Sequence, residues 1–200
     1  MTASMQPDLV RLHRYTVEEY FRMAELGLLP PEVRVELIEG ELIDLAPAGH
    51  RHTSVKSTLH EHFARELADY VCVWDQSILR LSASSAPQPD LVLLKYRKDK
   101  YHRSPPFPED VLLVVEVSEN SLRHDRMVKL PLYARHGVPE VWIVDVITPG
   151  MHYFHSPESG DYEFTSSTPT PGRISLNRLP DLSVDLTGLL DNLGKELNPQ

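Results

Sequence analysis

The stretch Val111-Leu112-Leu113-Val114-Val115-Glu116-Val117-Ser118 is an almost unbroken apolar run with one carboxylate set into it near its end. Leu91-Val92-Leu93-Leu94 and Val141-Trp142-Ile143-Val144 are apolar in the same way, without alternation between apolar and polar residues. Runs of this length and pattern are typical of strands buried on both faces in the middle of a covered sheet. The sequence therefore predicts a central sheet with further structure packed on both of its faces.

The segments around these strands predict helices and a hairpin. Apolar residues at helical spacing follow a capping-box pattern at Thr16, and they recur on one face of residues 50–70. A third helix is expected over residues 125–136, where Pro131 should kink it or delay its regular part. The other expected elements are a hairpin of residues 33–38 and 41–45, short strands at 71–74 and 78–81, and a tail of short strands that ends in a weak helix near Leu189. Together these elements predict an α/β (α+β) fold.

The composition suits one globular domain. The chain has 200 residues, so residues 15–200 are expected to form a single domain after a flexible leader, residues 1–14. No apolar run approaches the ~20 residues of a membrane-spanning helix, and the single cysteine, Cys72, cannot form an internal disulfide. These features favour a cytoplasmic protein without membrane contact. The net charge of -9 argues against nonspecific coating of nucleic acid, but it agrees with a cluster of metal-binding carboxylates.

Two carboxylates and a lysine near the buried strands form the candidate site. Asp90 opens one buried run, and Glu116 lies near the end of another. Such carboxylates are costly to desolvate unless they are paired, so their convergence on neighbouring strands predicts an oxygen-ligand site for Mg²⁺ or Mn²⁺. Lys129 would come from the following helix, where it could orient a water or offset charge on a phosphoryl transition state. Ser118 faces the same side of its strand as Glu116.

Each of these residues also has a purely structural interpretation. Asp90 could cap a turn, and Glu116 could belong to a buried ion pair. Lys129 could pair with Asp125, four residues earlier on the same helix, in a surface pair worth ~0.2–0.5 kcal/mol. Ser118 could cap the loop before that helix. The residue pattern leaves these alternatives open.

Six segments have an order and a spacing that are specific when they are taken together. They are Tyr15-Thr16-Val17-Glu18-Glu19-Tyr20, Glu36-Leu37-Ile38-Glu39-Gly40-Glu41, Gln88-Pro89-Asp90-Leu91, Val114-Val115-Glu116-Val117-Ser118, Lys129-Leu130-Pro131-Leu132-Tyr133-Ala134 and Gly137-Val138-Pro139-Glu140-Val141-Trp142-Ile143-Val144-Asp145. In this arrangement the chain resembles the Uma-two family of putative restriction endonucleases, within the PD-(D/E)xK nuclease superfamily. The resemblance covers about residues 15–145 and, more loosely, residues 179–182.

The resemblance implies a restriction-endonuclease-like core, in which helices flank a mixed central sheet. It also implies Mg²⁺- or Mn²⁺-dependent hydrolysis of phosphodiester bonds, most readily in DNA. Glu36, Asp90 and Glu116 would be the three catalytic acids, with Asp90 and Glu116 as metal ligands. The superfamily places its lysine two residues after the third acid, where this chain has Ser118, and the resemblance implies that Lys129 takes that role.

The resemblance also implies a histidine near the site and a homodimeric protein. His52 matches a histidine that is common in the family, so it is expected beside the acids, with Ser118 as a further candidate. Homodimers are common among restriction-type nucleases, so a homodimer is expected here as well.

Other functions remain open. A catalytically inactive binding or assembly module could use the same fold, and the acidic balance and the missing Glu-x-Lys pattern favour it. A zinc-dependent hydrolase could use the histidine pairs at 50/52 and 60/62, although the chain has no H-E-x-x-H pattern. The basic loop of residues 95–103 is either solvated surface or, if it lies near a nuclease site, a segment that holds phosphates.

Overall fold

The computed structural model describes residues 11–191 and residue 193. Residues 1–10 of the expected leader lie outside this range, and residues 11–14 have no regular secondary structure. The elements, in chain order, are α1 (Val17–Glu25), β1 (Arg34–Ile38), β2 (Glu41–Leu45), α2 (His50–Glu66), β3 (Val71–Asp75), β4 (Leu91–Lys95), a 3₁₀ turn (Pro108–Asp110), β5 (Val111–Ser118), α3 (Leu122–His124), a π-helical turn (Asp125–Lys129), α4 (Leu130–Arg135), β6 (Glu140–Asp145), β7 (Gly150–Glu158), β8 (Asp161–Thr168), β9 (Arg173–Leu176) and β10 (Leu179–Asp185).

A six-stranded mixed sheet forms the centre of the fold, with the strand order β3-β4-β5-β6-β7-β8. β5 and β6 run parallel, and every other neighbouring pair is antiparallel. Every residue of β5 and β6 is buried, which confirms the covered sheet predicted from the apolar runs. Because parallel neighbours need a crossover connection, the chain passes over one face of the sheet between β5 and β6. α3, the π-helical turn and α4 form this crossover.

Apolar layers cover both faces of the sheet. On one face, α2 and the β9–β10 hairpin pack against residues that include Val115 and Val117. On the other face, α4 packs against Val114 and its neighbours. Because a strand directs successive side chains to opposite faces, Glu116 points toward the crossover.

α1 and the β1–β2 hairpin form a smaller unit beside the sheet, with their own apolar cluster. The capping box predicted at Thr16 is present. Tyr20 of α1 donates a hydrogen bond from its hydroxyl to the Val35 carbonyl over 2.7 Å, and a β-bridge joins β1 to the loop that precedes β4. These contacts hold β1, and with it Glu36, against that loop.

Two segments differ from the sequence prediction. Residues 78–81, expected as a strand, form an irregular segment, although Leu79 is fully buried. The Leu79 N–H bonds to the Pro87 carbonyl, so the hydrogen bonds of this segment are local and are not those of a strand ladder. The weak helix expected near Leu189 is a series of turns over residues 187–191. Within the described residues, no helix combines the length and the apolar character that crossing a bilayer requires.

Pro131 lies at the start of α4, and the backbone before it departs from α-helical geometry. Proline has no N–H to donate. In the preceding turn the Leu130 N–H bonds to the Asp125 carbonyl five residues back, which makes that turn π-helical. The regular helix therefore begins late, as the sequence predicted, and Lys129 is the last residue of the wider turn.

Candidate active site

Asp90 and Glu116 lie at the same end of two neighbouring strands. β4 and β5 are antiparallel, and Leu91 pairs with Val115, which places the residue before β4 beside the last residues of β5. Asp90 Oδ2 accepts a hydrogen bond from the Val117 N–H over 2.9 Å. Asp90 is 5% exposed and Glu116 is 3% exposed. Both carboxylates must therefore find their partners inside the protein.

Lys129 provides the cation at the centre of the site. Its Nζ lies 2.7 Å from Glu116 Oε1 and 3.0 Å from Glu36 Oε1, and only 3% of the residue is exposed. Tyr133, one turn further along the crossover, donates its hydroxyl to the same Glu116 Oε1 over 2.5 Å. The surface pair with Asp125 that the helical spacing allowed is not formed, because Lys129 is turned inward to the two glutamates.

Glu36 brings the β1–β2 hairpin into the site. Its side chain is fully buried, and Oε1 accepts the Gln88 N–H over 2.7 Å as well as the Lys129 ammonium. Its second oxygen, Oε2, has no hydrogen-bond partner in the described part of the chain, and His124 Nε2, also without a partner there, lies 4.0 Å away. Since buried polar atoms normally have a partner, Glu36 Oε2 is an oxygen that a bound cation or a water can satisfy.

His52, in the first turn of α2, contacts Asp90 directly. Its Nε2 lies 2.9 Å from Asp90 Oδ2, and both side chains are buried. Burial by itself would raise the pKa of Asp90, but the hydrogen bonds from His52 and the Val117 N–H, with the charge of Lys129, bring that pKa below its usual value. Asp90 is therefore ionised at neutral pH.

Ser118 points to the same side of β5 as Glu116, but it binds a different residue. Its hydroxyl donates to Asp125 Oδ2 over 2.6 Å, and the Ser121 hydroxyl donates to the same oxygen over 2.6 Å. Asp125 is buried at the first position of the π-helical turn. Ser118 thus ties the start of that turn to β5, and this fixes the position from which Lys129 reaches the acids.

The site gathers four carboxylates around one ammonium group. Burial raises the pKa of Glu116 to about 8, although Lys129 opposes the rise; the charges of Asp125, Asp90 and Glu36 add to it. For Lys129, burial works to lower the pKa, but the carboxylates, Glu116 first, outweigh burial and raise that pKa above its usual value. The lysine therefore stays charged at neutral pH, while Glu116 retains a proton readily. A bound cation would relieve this surplus of negative charge.

A cavity of about 330 Å³ opens beside these residues. Its lining includes Asp90, His52 and Lys129, together with the loops that follow β2 and β5. Glu36 and Glu116 do not belong to the lining and contact it through Lys129. A molecule in the cavity therefore meets Asp90 and Lys129 before it meets Glu36 or Glu116.

The donor set determines which metal the site suits. Among the residues that the structure describes, no three or more His, Cys, Asp or Glu side chains form a group that could hold a metal ion. The zinc alternative needs such a set, and the described residues contain none. Mg²⁺ is commonly held by one or two carboxylates, with water and phosphate as its other ligands. The carboxylates of Asp90 and Glu116 are donors of this kind, so the chemistry of the site fits Mg²⁺ or Mn²⁺.

Sequence reasoning did not assign three residues to this site: Tyr133, His124, and Asp125, which it considered only as a surface partner of Lys129. Tyr133 and Asp125 each lie four residues from Lys129 on the crossover, so helical spacing did offer a signal for them. His124 carries no such signal, because its approach to Glu36 depends on how the β1–β2 hairpin packs against the crossover.

The chain is similar in sequence to a described family and similar in fold to a solved structure. A family described as "Putative restriction endonuclease" (Uma2) has a sequence model that matches residues 17–187. A solved structure with a similar fold is that of a putative nuclease belonging to DUF820 from Anabaena variabilis, with a TM-score of 0.66, 14% sequence identity, and coverage of 90% of this chain and 99% of that one. At this identity the likeness concerns the fold alone. No curated protein matches the chain. Because the family match spans most of the chain, the protein belongs to the Uma2 (Uma-two) family, as its sequence motifs predicted.

Proposed function

We propose that this chain is a divalent-metal-dependent endonuclease that hydrolyses phosphodiester bonds, with DNA as its substrate. The main support for the proposal is the buried Lys129 ammonium. It lies within 3.0 Å of Glu36 and Glu116, beside a cavity that Asp90 lines. Buried ion pairs add little net stability, so their gathering at one cavity is better explained by chemistry than by stability. The family description, which names restriction endonucleases, supports the same class of reaction.

The groups nearest the cavity would act on the substrate. Asp90 and Glu116 would hold Mg²⁺ or Mn²⁺, which when bound lowers the pKa of water and offsets charge on the phosphate. Asp90 is ionised at neutral pH and can accept a cation without losing a proton first. Lys129 keeps its positive charge, so it can orient an attacking water and stabilise the negative charge that develops on the phosphate.

Other residues would act through these groups. Glu36 fixes the Lys129 ammonium from the hairpin side, as Glu116 does from the sheet. His52 holds Asp90 in its ionised form by hydrogen bonding to Oδ2. Ser118 anchors the π-helical turn through Asp125. We therefore assign positioning roles to His52 and Ser118.

Three exposed arginines that neighbour cavity-lining residues in sequence suit a phosphate backbone. Arg51 adjoins His52, and Arg123 and Arg126 lie in the crossover near Asp125. All three are exposed, and none pairs with a carboxylate of the described residues. Contacts of cations with phosphates supply most of the affinity of proteins for nucleic acid. A homodimer belongs to the proposal on family grounds, and sedimentation of the purified protein tests it.

A cleavage assay tests the function. Supercoiled plasmid, single-stranded DNA and RNA would each be incubated with the protein in Mg²⁺, in Mn²⁺ or in EDTA. We expect cutting of DNA that needs metal and that is lost in Asp90→Asn, Glu116→Gln and Lys129→Met. Metal-dependent cutting that continues undiminished in these variants would contradict the proposal.

A matched control separates chemistry from burial. Glu140 is also a buried carboxylate of the central sheet, but it accepts hydrogen bonds from Trp142 and the Asn177 N–H, away from the cavity. Glu140→Gln should therefore keep its cutting activity. If the wild-type protein cuts none of the substrates, the binding or assembly module becomes the better description of this fold.

A further inference from the structure

A second charged cavity lies at the other end of β4 from the candidate active site. It has a volume of about 590 Å³, and its lining includes the cations Lys95 and Arg178, the rings of Tyr70 and Tyr96, and one carboxylate, that of Glu109. β4 leads from Asp90 to Lys95, and at about 3.3 Å per residue these two positions are roughly 17 Å apart. The basic loop of residues 95–103 therefore does not border the active-site cavity, so any phosphate that it holds lies away from the acids.

Unlike most other lysines and arginines that the structure describes, the cations here have no carboxylate partner among the described residues. The lysines and arginines that form no ion pair within the described residues are Arg11, Arg51, Lys95, Lys98, Lys100, Arg103, Arg123, Arg126 and Arg178. Four of these belong to the loop, of which Lys95 lines the cavity, and Arg178 lines it as well. The chain has 29 acidic and 20 basic residues, so carboxylates are plentiful. A cluster of unpaired cations in such a chain indicates an anionic partner.

Two exposed tyrosines stand beside these cations. Val71 pairs with Lys95 in the β3–β4 ladder, so Tyr70 and Tyr96 leave the sheet at the same end. They are 54% and 47% exposed, and both line the cavity. Lys100 Nζ lies 4.7 Å from the centre of the Tyr96 ring, which brings charge and aromatic surface together. Proteins bind single-stranded nucleic acid with this combination, because rings stack on bases while cations contact phosphates.

Buried contacts hold the loop in this form. Tyr101 is 5% exposed, its hydroxyl donates to the Lys95 carbonyl over 2.8 Å, and the Arg97 guanidinium lies 4.4 Å from its ring centre. Lys100 and Tyr101 have φ angles of 50° and 63°, in the left-handed region that is uncommon for residues other than glycine. Such a backbone persists only where the surrounding structure determines it. The loop is thus preformed, with Tyr101 turned inward and its unpaired cations exposed.

We propose that this cavity and the basic loop form an accessory binding site for a single-stranded segment of nucleic acid. Phosphates would contact Lys98, Lys100 and Arg103, and a base would stack on Tyr70 or Tyr96. The aromatic rings favour nucleic acid over an acidic polypeptide, because bases stack on such rings and carboxylates do not. The choice of nucleic acid as the ligand rests on the proposed function, but binding at this site does not require that the protein cleaves it.

Fluorescence anisotropy in EDTA tests the proposal without cleavage. The probe is a labelled single-stranded oligonucleotide of about 20 nucleotides. The triple variant Lys98→Gln/Lys100→Gln/Arg103→Gln should bind about tenfold more weakly, and the slope of log K against log salt should become shallower by about 2, since each phosphate contact contributes ~0.7. Tyr70→Ala/Tyr96→Ala should weaken binding while the salt slope stays unchanged. The single variant Arg103→Gln, with a slope change of ~0.7, serves if the triple variant does not fold.

The control variant removes three exposed charges that are already paired with Glu25, Glu66 and Asp185. Its substitutions are Arg22→Gln, Arg65→Gln and Arg173→Gln. An unchanged affinity and slope in the loop variant, or an equal loss in the control, overturns the proposal. So does polyglutamate that competes as well as the oligonucleotide, or a mononucleotide that alone displaces it. Wild-type protein that binds through the loop but never cuts would support this site and contradict the proposed nuclease function.

Discussion

Replacing Lys129 with methionine would show how strongly the fold depends on the buried ammonium. Methionine keeps most of the side-chain volume but removes the charge that lies 2.7 Å from Glu116 and 3.0 Å from Glu36. Two buried carboxylates would lose their shared partner, and leaving a buried charge without its partner costs about 3–5 kcal/mol. For a chain of this size, at roughly 2–4 °C per kcal/mol, that loss lowers Tm by about 6–20 °C.

Urea unfolding followed by circular dichroism at about pH 9, where Glu116 with its pKa of about 8 is ionised, measures this loss. Arg135→Met is a matched control, because Arg135 lies on the same crossover and pairs with Glu39 at the surface, where an ion pair is worth only about 0–1 kcal/mol. In a Glu116→Gln background, Lys129→Met should cost less than it does alone, since one of the two charges is already gone. A loss below ~0.5 kcal/mol for Lys129→Met, the value of an exposed helical pair, would refute the reasoning.

Three further predictions follow from the same contacts. Folding raises the pKa of Glu116 from 4.5 to about 8, so between these pH values the folded state holds a proton that the unfolded chain releases. The free energy of unfolding should therefore fall as the pH rises from 4.5 to about 8. Urea unfolding at several pH values should show this fall for the wild-type protein and not for Glu116→Gln. Tyr133→Phe deletes the hydroxyl that donates to Glu116 and should cost about 1–3 kcal/mol in thermal unfolding. Tyr153→Phe should cost less, because the Tyr153 hydroxyl bonds only a methionine sulfur, over 3.6 Å, among the described residues. His52→Ala should raise the pKa of Asp90 and weaken Mn²⁺ binding most at acidic pH. Equal Mn²⁺ affinities of the wild-type protein and the variant in calorimetric titrations would contradict the positioning role of His52.

The central strands could be predicted from sequence because burial on both faces leaves no position for a polar residue. β5 shows this most clearly, since all of its residues are buried and only Glu116 and Ser118 are polar. The hairpin of β1 and β2 was predictable for a related reason, because a short turn joins two alternating runs. Residues 78–81 have similar apolar character but form no strand, since their N–H groups find partners in the adjacent loop. Composition indicates burial there, but not the geometry of the backbone.

The partners within the site could not be read from spacing. Glu36 binds Gln88 and Lys129, which lie 52 and 93 residues away, so no local pattern connects them. For Lys129 the local pattern pointed to Asp125, four residues before it. The packing of the crossover against β5 determines which carboxylates Lys129 contacts, because it turns the ammonium toward Glu36 and Glu116. The place of the basic loop was equally hidden, since it depends on the direction of β4.

The π-helical turn makes the position of the ammonium depend on how many residues the crossover contains. A π-helical turn holds one residue more than an α-helical turn in the same place. Deleting one residue between Asp125 and Lys129 would restore a continuous α-helix and rotate the preceding side chains by about 100° relative to Tyr133. Asp125 would then leave Ser118, and the first half of the crossover would present another face to the sheet. If Asp125 kept its contact with Ser118 instead, Lys129 would rotate by the same angle, so the loss of one residue from the crossover could turn the ammonium away from the two glutamates without changing any strand.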